Sequence, residues 1–401
     1  MNDERMKVLT MLEEGKITAA EAATLLTALG KSEPTAQAPS TPATEAQAPQ
    51  APLSLAHQMA PAFEQVNKVL DRLPEQIATE HLPKVGKGVS RVVDVLSGLL
   101  NQGLGMIESH LQPTHTFEQT LAFSETADLV GFDVQNTHGT IRLIGEDRED
   151  VAIKVVAHIP GATYEAAQSF FAEHPVTLRR EGAQLRLTPP TSLSQSHPIG
   201  ALMMRHRYDF ECRLPRHLVP QAASISGDLH ADDLRYGGHG HLKTVSGDIQ
   251  VQGIEGNLSL NTVSGELTAT DCAGHMDARA ISGDVILRKA WLSGSASTVS
   301  GSIDLDGKLS GDLKLKSISG DIEAEVEAAF AMSASTTSGN IDVRLASGSS
   351  GYVDASTRSG DLEMKQDLTE TIFAKRHIKG KLNNGTAALT YSTISGDVTI
   401  R

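Results

Sequence analysis

The most constraining feature of this 401-residue sequence is a series of nine Ser-Gly dipeptides at near-constant spacing in the second half of the chain. The glycines of the nine copies are Gly227, Gly247, Gly265, Gly283, Gly301, Gly320, Gly339, Gly360 and Gly396. Neighbouring glycines are 18 to 21 residues apart, except for the last two, which are 36 apart. Such a period is typical of a solenoid, in which each copy of the repeat forms one rung of a stack.

Aliphatic side chains stand at fixed positions after each of these glycines. Two residues after the glycine lie Leu229, Ile249, Leu267, Val285, Ile303, Ile322, Ile341, Leu362 and Val398. Four residues after it lie Ala231, Val251, Ala269, Leu287, Leu305, Ala324, Val343, Met364 and Ile400. The positions between are mostly polar, and alternation with period two indicates a half-buried β-strand. We therefore expect both columns to face the core.

A third column lies two residues before the glycine and is Ile or Val in most copies. Its members are Ile225, Val245, Val263, Ile281, Val299, Ile318 and Ile394, with Thr337 and Arg358 as exceptions. A second glycine often precedes the first by nine residues, as at Gly256 and Gly274, so each period divides into two strand-and-turn halves. The pattern predicts an all-β parallel β-solenoid with two or three sheets around a thin aliphatic core, and rungs about 4.8 Å apart.

The solenoid is expected to span residues 115–401, with Gly139 in an opening rung and an irregular α/β insertion at about 150–215. We interpret the last 36-residue step as two periods, with a degenerate copy at Lys379-Gly380-Lys381. On this interpretation the chain ends in the terminal rung at Arg401. The strand edge of that rung then needs a cover, because unpaired strand groups invite further pairing.

The residues before the repeat predict a small α-helical N-terminal region. Residues 1–30 have the pattern of a helical hairpin, 31–52 form a Pro/Ala-rich linker typical of disorder, and 53–111 resemble an amphipathic helical segment. A hairpin this small needs a partner to bury its apolar face. The candidate interaction surface is Leu9, Leu12, Leu25, Leu29, Val92, Leu96 and Leu99. For 84–111, packing on the solenoid or a second copy, docking on a membrane surface, and a membrane span all remain open.

Composition narrows the partners and the compartment. The formal net charge of −14 argues against nucleic acid or anionic lipid as the main partner of the whole chain. The two cysteines, Cys212 and Cys272, are too few for a disulfide framework and are expected to be small buried hydrophobes. Neither a signal peptide nor an uncharged apolar run of transmembrane length is evident. We expect a cytoplasmic protein, with peripheral membrane contact as an open alternative.

Two groups of residues could bind metal. The residue after each repeat glycine is usually acidic, and stacked carboxylates could bind cations, but corner turns also favour Asp and Asn, and we prefer that interpretation. His239 and His241 would share one face of a strand, with His230 nearby, but no third ligand follows at a fixed spacing. We expect no catalytic residue and no cofactor.

The strand-and-proline lead-in Glu211-Cys-Arg-Leu-Pro215 and the Ser-Gly-Asp rungs after it are similar to the bacterial adhesin-type β-solenoid family, a domain of unknown function. The segment Glu13-Glu-Gly-Lys-Ile-Thr-Ala-Ala-Glu-Ala-Ala-Thr-Leu-Leu26 resembles the short N-terminal domain of daptomycin-sensing surface proteins and related envelope-stress proteins. These resemblances imply a non-enzymatic role near the cell envelope.

Together these patterns predict a non-enzymatic β-solenoid scaffold or interaction protein linked to envelope stress or envelope-associated assembly. Its partner would be another protein or a second copy, and a homo-oligomer is expected. One alternative is a peripheral membrane sensor that docks through the 84–111 helix. A more remote alternative is a metal-dependent enzyme in the region His230–His241.

Overall fold

The computed structural model describes residues 113–190 and 206–401, except 328, 329, 384 and 386. The predicted hairpin at 1–30, the linker at 31–52 and the helical segment at 53–111 lie outside these residues. The described part contains 25 strands and one helix. It also contains no helix that is long and apolar enough to span a membrane.

The first ten strands and the helix are β1 (Thr114–Phe123), β2 (Gly131–His138), β3 (Ile141–Glu146), β4 (Val151–Pro160), α1 (Tyr164–Glu173), β5 (Thr177–Glu181), β6 (Gln184–Thr188), β7 (Arg207–Pro215), β8 (Val219–Ser226), β9 (Leu229–Asp232) and β10 (Arg235–Ser246). The next nine are β11 (Ile249–Gln252), β12 (Glu255–Ser264), β13 (Leu267–Thr270), β14 (Ala273–Ser282), β15 (Val285–Ser297), β16 (Ile303–Lys316), β17 (Ile322–Glu327), β18 (Met332–Ser338) and β19 (Ile341–Leu345). The last six are β20 (Gly351–Ser359), β21 (Leu362–Met364), β22 (Thr369–Ala374), β23 (His377–Leu382), β24 (Ala388–Ser395) and β25 (Val398–Ile400).

The strands form two long sheets, joined where β15 and β16 each run from one sheet into the other. In the first sheet the order is β1-β4-β7-β3-β9-β11-β13-β15-β16-β17-β19-β25-β21. In the second sheet it is β5-β6-β2-β8-β10-β12-β14-β15-β16-β18-β24-β20-β23-β22. In the first sheet, every pairing from β7 to β21 in this order is parallel, and β4 pairs antiparallel with β7. In the second sheet, every pairing from β6 to β20 in this order is parallel. The predicted parallel β-solenoid is confirmed.

Each rung places one strand in each sheet and buries apolar side chains between them. In the rung of Gly247, Leu242 from the second sheet and Ile249 and Val251 from the first are at most 2% exposed. The two predicted core columns are buried throughout, except that Leu362 and Met364 on the edge strand β21 are half-buried. A buried aliphatic side chain contributes about 1.5–3 kcal/mol, so a stack of such rungs needs no large aromatic core.

The insertion at the amino-terminal end extends both sheets and adds antiparallel strand pairs to each. β4 lies between β1 and β7 in the first sheet, and the β5–β6 hairpin extends the second. Helix α1 begins after Thr163, whose hydroxyl accepts a 3.2 Å hydrogen bond from the Ala166 amide and so caps the helix. Phe171 of the helix stacks on Phe117 of β1, with ring centroids 5.3 Å apart.

The carboxyl-terminal end corrects two expectations from the sequence. The rung of Gly396 lies between those of Gly339 and Gly360, because β24 pairs with β18 on one side and β20 on the other. Arg401 is therefore not at the end of the stack, and its side chain pairs with Asp342 at 2.8 Å. The segment around Gly380 is not a degenerate rung, since β23 runs antiparallel to β20 and forms a hairpin with β22. β22 and β21 are the edge strands at this end.

Candidate functional site

The Ser-Gly turns line one edge of the stack, and their backbones pack in direct contact. Gly301 has a φ of 154°, a conformation that side chains with a Cβ rarely adopt. A Cβ there would also overlap the carbonyl oxygen of Gly283 in the preceding rung. The same overlap recurs at the repeat glycines from Gly227 to Gly396, so the glycine column is imposed by rung-to-rung contact.

The acidic column beside the glycines is used for contacts between rungs. The Oδ1 atom of Asp284 accepts a hydrogen bond of 2.7 Å from the backbone N–H of Ser302, its counterpart in the next rung. Five further contacts of this kind join Asp228 to Asp248, Asp248 to Glu266, Asp321 to Asn340, Asn340 to Asp397 and Asp397 to Asp361. Because Asn340 makes the contact as Asp does, the contact depends on an acceptor oxygen rather than on a negative charge. This geometry supports the turn interpretation over a cation site.

A hydroxyl column three residues before the glycines, which the sequence analysis did not identify, makes a second ladder. The Thr298 hydroxyl donates to the Gly283 carbonyl at 2.9 Å. The same bond is made by Thr244, Thr262, Ser317, Thr336, Thr357 and Thr393. Ala280 interrupts the column. These side chains are buried. Each donates a hydrogen bond to a glycine carbonyl that points away from the sheet at the turn and would otherwise lack a donor. The spacing of Thr and Ser was visible in the sequence and could have revealed it.

The histidine pair is close but lacks further ligands. The ring centroids of His239 and His241 on β10 are 4.7 Å apart. Burial lowers the pKa of His241, and the neighbouring His239 and Lys243 lower it further. Within the part of the chain that the structure describes, no group of three or more His, Cys, Asp or Glu side chains could hold a metal ion. The arrangement brings together two of the ligands that the metal-enzyme alternative requires.

Both cysteines are buried in the core. Cys272 is 2% exposed and occupies the corner column that Leu234, Ile254 and Ala290 fill in adjacent rungs. Burial raises the pKa of its thiol to about 11, so the thiol is protonated and unreactive at neutral pH. Cys212 is fully buried, and burial raises its pKa further still. Their interpretation as small core residues is confirmed.

The column two residues before each glycine lies on the outer face of the second sheet. In β14, Met276, Ala278 and Ala280 point inward, so the alternating Ile281 points outward. Val245 and Ile281 are buried by neighbouring side chains but are not part of the hydrophobic core. The other aliphatic residues of this column are half-buried. We call this set the outer stripe, and its members are Ile225, Val245, Val263, Ile281, Val299, Ile318 and Ile394. It is an apolar line on a sheet face that is otherwise polar.

The interaction surface predicted from the sequence, Leu9, Leu12, Leu25, Leu29, Val92, Leu96 and Leu99, lies outside the described residues. The outer stripe is therefore the candidate surface for which the structure gives a geometry. Outward-facing apolar lines of this kind mark binding surfaces more often than do scattered apolar residues.

Comparison with known families supports the resemblance of the repeat region. Residues 220–306 and 295–401 each match the Toastrack DUF4097 family model, and residues 3–34 match a SHOCT-like domain, the DUF2089 C-terminal type. The repeat region is thus similar to a domain family of unknown function. No curated protein matches the sequence.

Three solved structures are similar to this chain at low identity. A "putative cell adhesion protein" from Clostridium sporogenes is 8% identical, with 71% of this chain and 99% of that chain covered and a TM-score of 0.21. A "putative adhesin" from Bacteroides fragilis is 9% identical, with 73% and 98% covered and a TM-score of 0.33. A "putative lipid binding protein" from Parabacteroides distasonis is 12% identical, with 71% and 96% covered and a TM-score of 0.31. The fold assignment rests on the strand register rather than on these similarities.

Proposed function

We propose that this chain is a non-enzymatic β-solenoid scaffold whose outer stripe binds a protein, either a second copy or another chain. One observation carries the proposal. Most side chains of the acidic column and of the hydroxyl column make hydrogen bonds between rungs. These two columns are the most regular polar features of the sequence. The repeat therefore builds the stack, and the surface that it leaves for recognition is the outer face of the sheets.

The composition of the outer stripe supports this proposal, because the fold does not need apolar residues at these positions. Thr337 and Arg358 occupy the same column in two rungs, and both rungs keep the same turn geometry. A column that tolerates Thr and Arg but is aliphatic at seven other positions is suited to contact with a partner. The match of residues 220–401 to a domain family of unknown function is compatible with a binding role.

We further propose that the scaffold works at the cell envelope from the cytoplasmic side and self-associates. The support is the resemblance of residues 13–26 to the N-terminal domain of envelope-stress proteins, and the requirement of a small helical hairpin for a partner. Self-association would double the length of outer stripe available to a partner, which raises its effective affinity.

Photocross-linking in cells tests the scaffold role. A photoreactive amino acid is placed at Val299 on the outer stripe, and in a matched chain at Glu323 on the outer face of the first sheet. We expect a reproducible cross-linked species, of self or of one partner, from position 299 and much less from position 323. Equal yields at the two positions, or none from position 299 in a correctly folded chain, would contradict the proposal.

A further inference from the structure

A second surface lies at the carboxyl-terminal end of the stack. β22 and β23 form the end hairpin, residues 369–382, with Lys375 and Arg376 at its two-residue turn. Ile372 and Phe373 in β22 are 64% and 69% exposed, the highest values among the large hydrophobic side chains of the described residues. Only 4% of the sequence is aromatic, so an exposed phenylalanine at the edge of a sheet is unusual here.

The end hairpin is held firmly on the last rung. β23 pairs with β20 over six residues, and the Thr357 amide donates to the Arg376 carbonyl at 3.1 Å. On the outer face, Asp354 lies 2.7 Å from both His377 Nε2 and Lys379 Nζ. Burial acts to raise the pKa of Asp354, but the hydrogen bonds from Lys379 and His377 outweigh it and keep that pKa below its usual value. The exposed pair therefore lies on a hairpin whose inner strand, β23, is bonded to the last rung.

The charge of the end hairpin is opposite to that of the chain. The hairpin contains four basic residues, Lys375, Arg376, Lys379 and Lys381, and one acidic residue, Glu370, whereas the whole chain carries a formal net charge of −14. In the part of the chain that the structure describes, neither Lys375 nor Arg376 has a carboxylate within ion-pair distance. The nearest acidic residues along the chain, Glu370 and Asp367, precede the apolar pair. The tip thus combines two exposed apolar side chains with two free cations.

We propose that the end hairpin docks on an anionic phospholipid surface, with Ile372 and Phe373 in the headgroup–acyl boundary and Lys375 and Arg376 against lipid phosphates. An apolar segment flanked by cations is the arrangement that binds such an interface, and each cation close to it contributes measurably. A second copy on this end fits less well, because two basic hairpins would then face each other. This surface is separate from the outer stripe, so each proposal can fail alone.

Co-sedimentation of the full chain with vesicles tests the docking. Vesicles of phosphatidylcholine containing phosphatidylglycerol are compared with vesicles of phosphatidylcholine alone, at low and high salt. We expect binding to the anionic vesicles only, weakened by salt because screening acts on exposed charges. The variants Lys375→Glu/Arg376→Glu and Ile372→Ser/Phe373→Ser should each reduce the partition coefficient by at least about tenfold.

Matched controls come from the opposite end of the same sheet. Arg179→Glu/Arg180→Glu changes a basic pair on the other edge strand, β5, and Val130→Ser removes another exposed apolar side chain, 56% exposed. Neither control should change vesicle binding. A Phe373→Trp variant should also show a blue-shifted emission with anionic vesicles, measured against the single native tryptophan, Trp291.

Three results would overturn the docking proposal. The first is a wild-type chain that binds no vesicle. The second is vesicle binding that all hairpin variants retain, which would assign membrane contact to another segment, such as residues 84–111. The third is hairpin variants that lose self-association in light scattering but keep vesicle binding, which would make the end hairpin a protein contact.

Discussion

The Thr298 hydroxyl donates a 2.9 Å hydrogen bond to the carbonyl oxygen of Gly283, one rung earlier in the stack. The bond is buried, it recurs along the stack, and it satisfies a carbonyl that the corner turns away from its own sheet. Without the hydroxyl, that acceptor would be desolvated and unpaired, which is costly inside a protein. The hydroxyl column therefore makes the tight corner compatible with a dry core.

Thr298→Val keeps the shape of the side chain and removes the donor. We expect the free energy of unfolding to fall by about 1–3 kcal/mol, because the Gly283 carbonyl is left without this partner. Thr298→Ser keeps the hydroxyl, as Ser317 does in the next rung, and should have a smaller effect. Urea unfolding of both variants measures the difference. A valine variant as stable as the serine variant would show that the ladder is not stabilising.

Gly301→Ala should be among the most damaging small substitutions in the chain. The new Cβ would combine a φ of 154° with an overlap on the Gly283 carbonyl, so we expect a loss of more than about 2 kcal/mol. Gly237→Ala is the control, since a Cβ there meets no atom within 4 Å. Thermal unfolding should separate the two variants clearly, and equal melting temperatures would refute the contact argument.

Asp284→Ala and Asp284→Asn distinguish a backbone acceptor from a cation ligand. The alanine variant loses the contact to the Ser302 amide and should lower the free energy of unfolding by about 1 kcal/mol. The asparagine variant keeps the acceptor, as Asn340 does, and should lose much less. Adding calcium should leave the melting temperatures of the wild-type chain and of both variants unchanged. A calcium-dependent rise that both variants abolish would restore the cation interpretation.

His241 predicts a pH dependence with a definite sign. Burial and the nearby His239 and Lys243 lower its pKa from the ordinary value of 6.5. The unfolded chain therefore takes up a proton at a higher pH than the folded chain does. Stability from this group is present above pH 6.5 and falls as the pH drops through that value. The fall in melting temperature from about pH 7.5 to 5.5 should be smaller in His241→Gln. An equal fall would contradict this assignment.

The same region tests the metal-enzyme alternative. Protein purified without an affinity tag should contain no stoichiometric transition metal by elemental analysis, because the described residues bring only two imidazoles together at this site. A bound metal that disappears in His239→Ala/His241→Ala would support the enzyme alternative over the scaffold.

The periodic part of the fold could be predicted because each column of the repeat has its own physical cause. The Gly+2 and Gly+4 residues face the core, and the glycine is fixed by backbone contact, so spacing alone locates the strands. The alternation of apolar residues does not reveal the hydroxyl column, because Thr244 and Thr262 are buried polar residues that act through hydrogen bonds.

The order of the last rungs could not be predicted from the repeat. Thr357 and Thr393 stand in the same column, and Asp397 offers its Oδ1 to the Asp361 amide as other rungs do. Any rung of this type fits on any other, so the pattern does not specify which neighbour Gly339 receives. The end hairpin settles the order, since β23 occupies the free edge of β20 and leaves the other edge to β24. That choice depends on tertiary pairing.

The most direct measurement of the central claim separates folding from binding in one full-length variant. Val299→Thr/Ile318→Thr makes two rungs of the outer stripe resemble that of Thr337, which the stack already accommodates. We expect a melting temperature close to that of the wild-type chain and loss of the species cross-linked from a probe at Val263, a half-buried member of the outer stripe. A variant that keeps its fold and still gives the full cross-linked yield would contradict the assignment of the outer stripe as the binding surface.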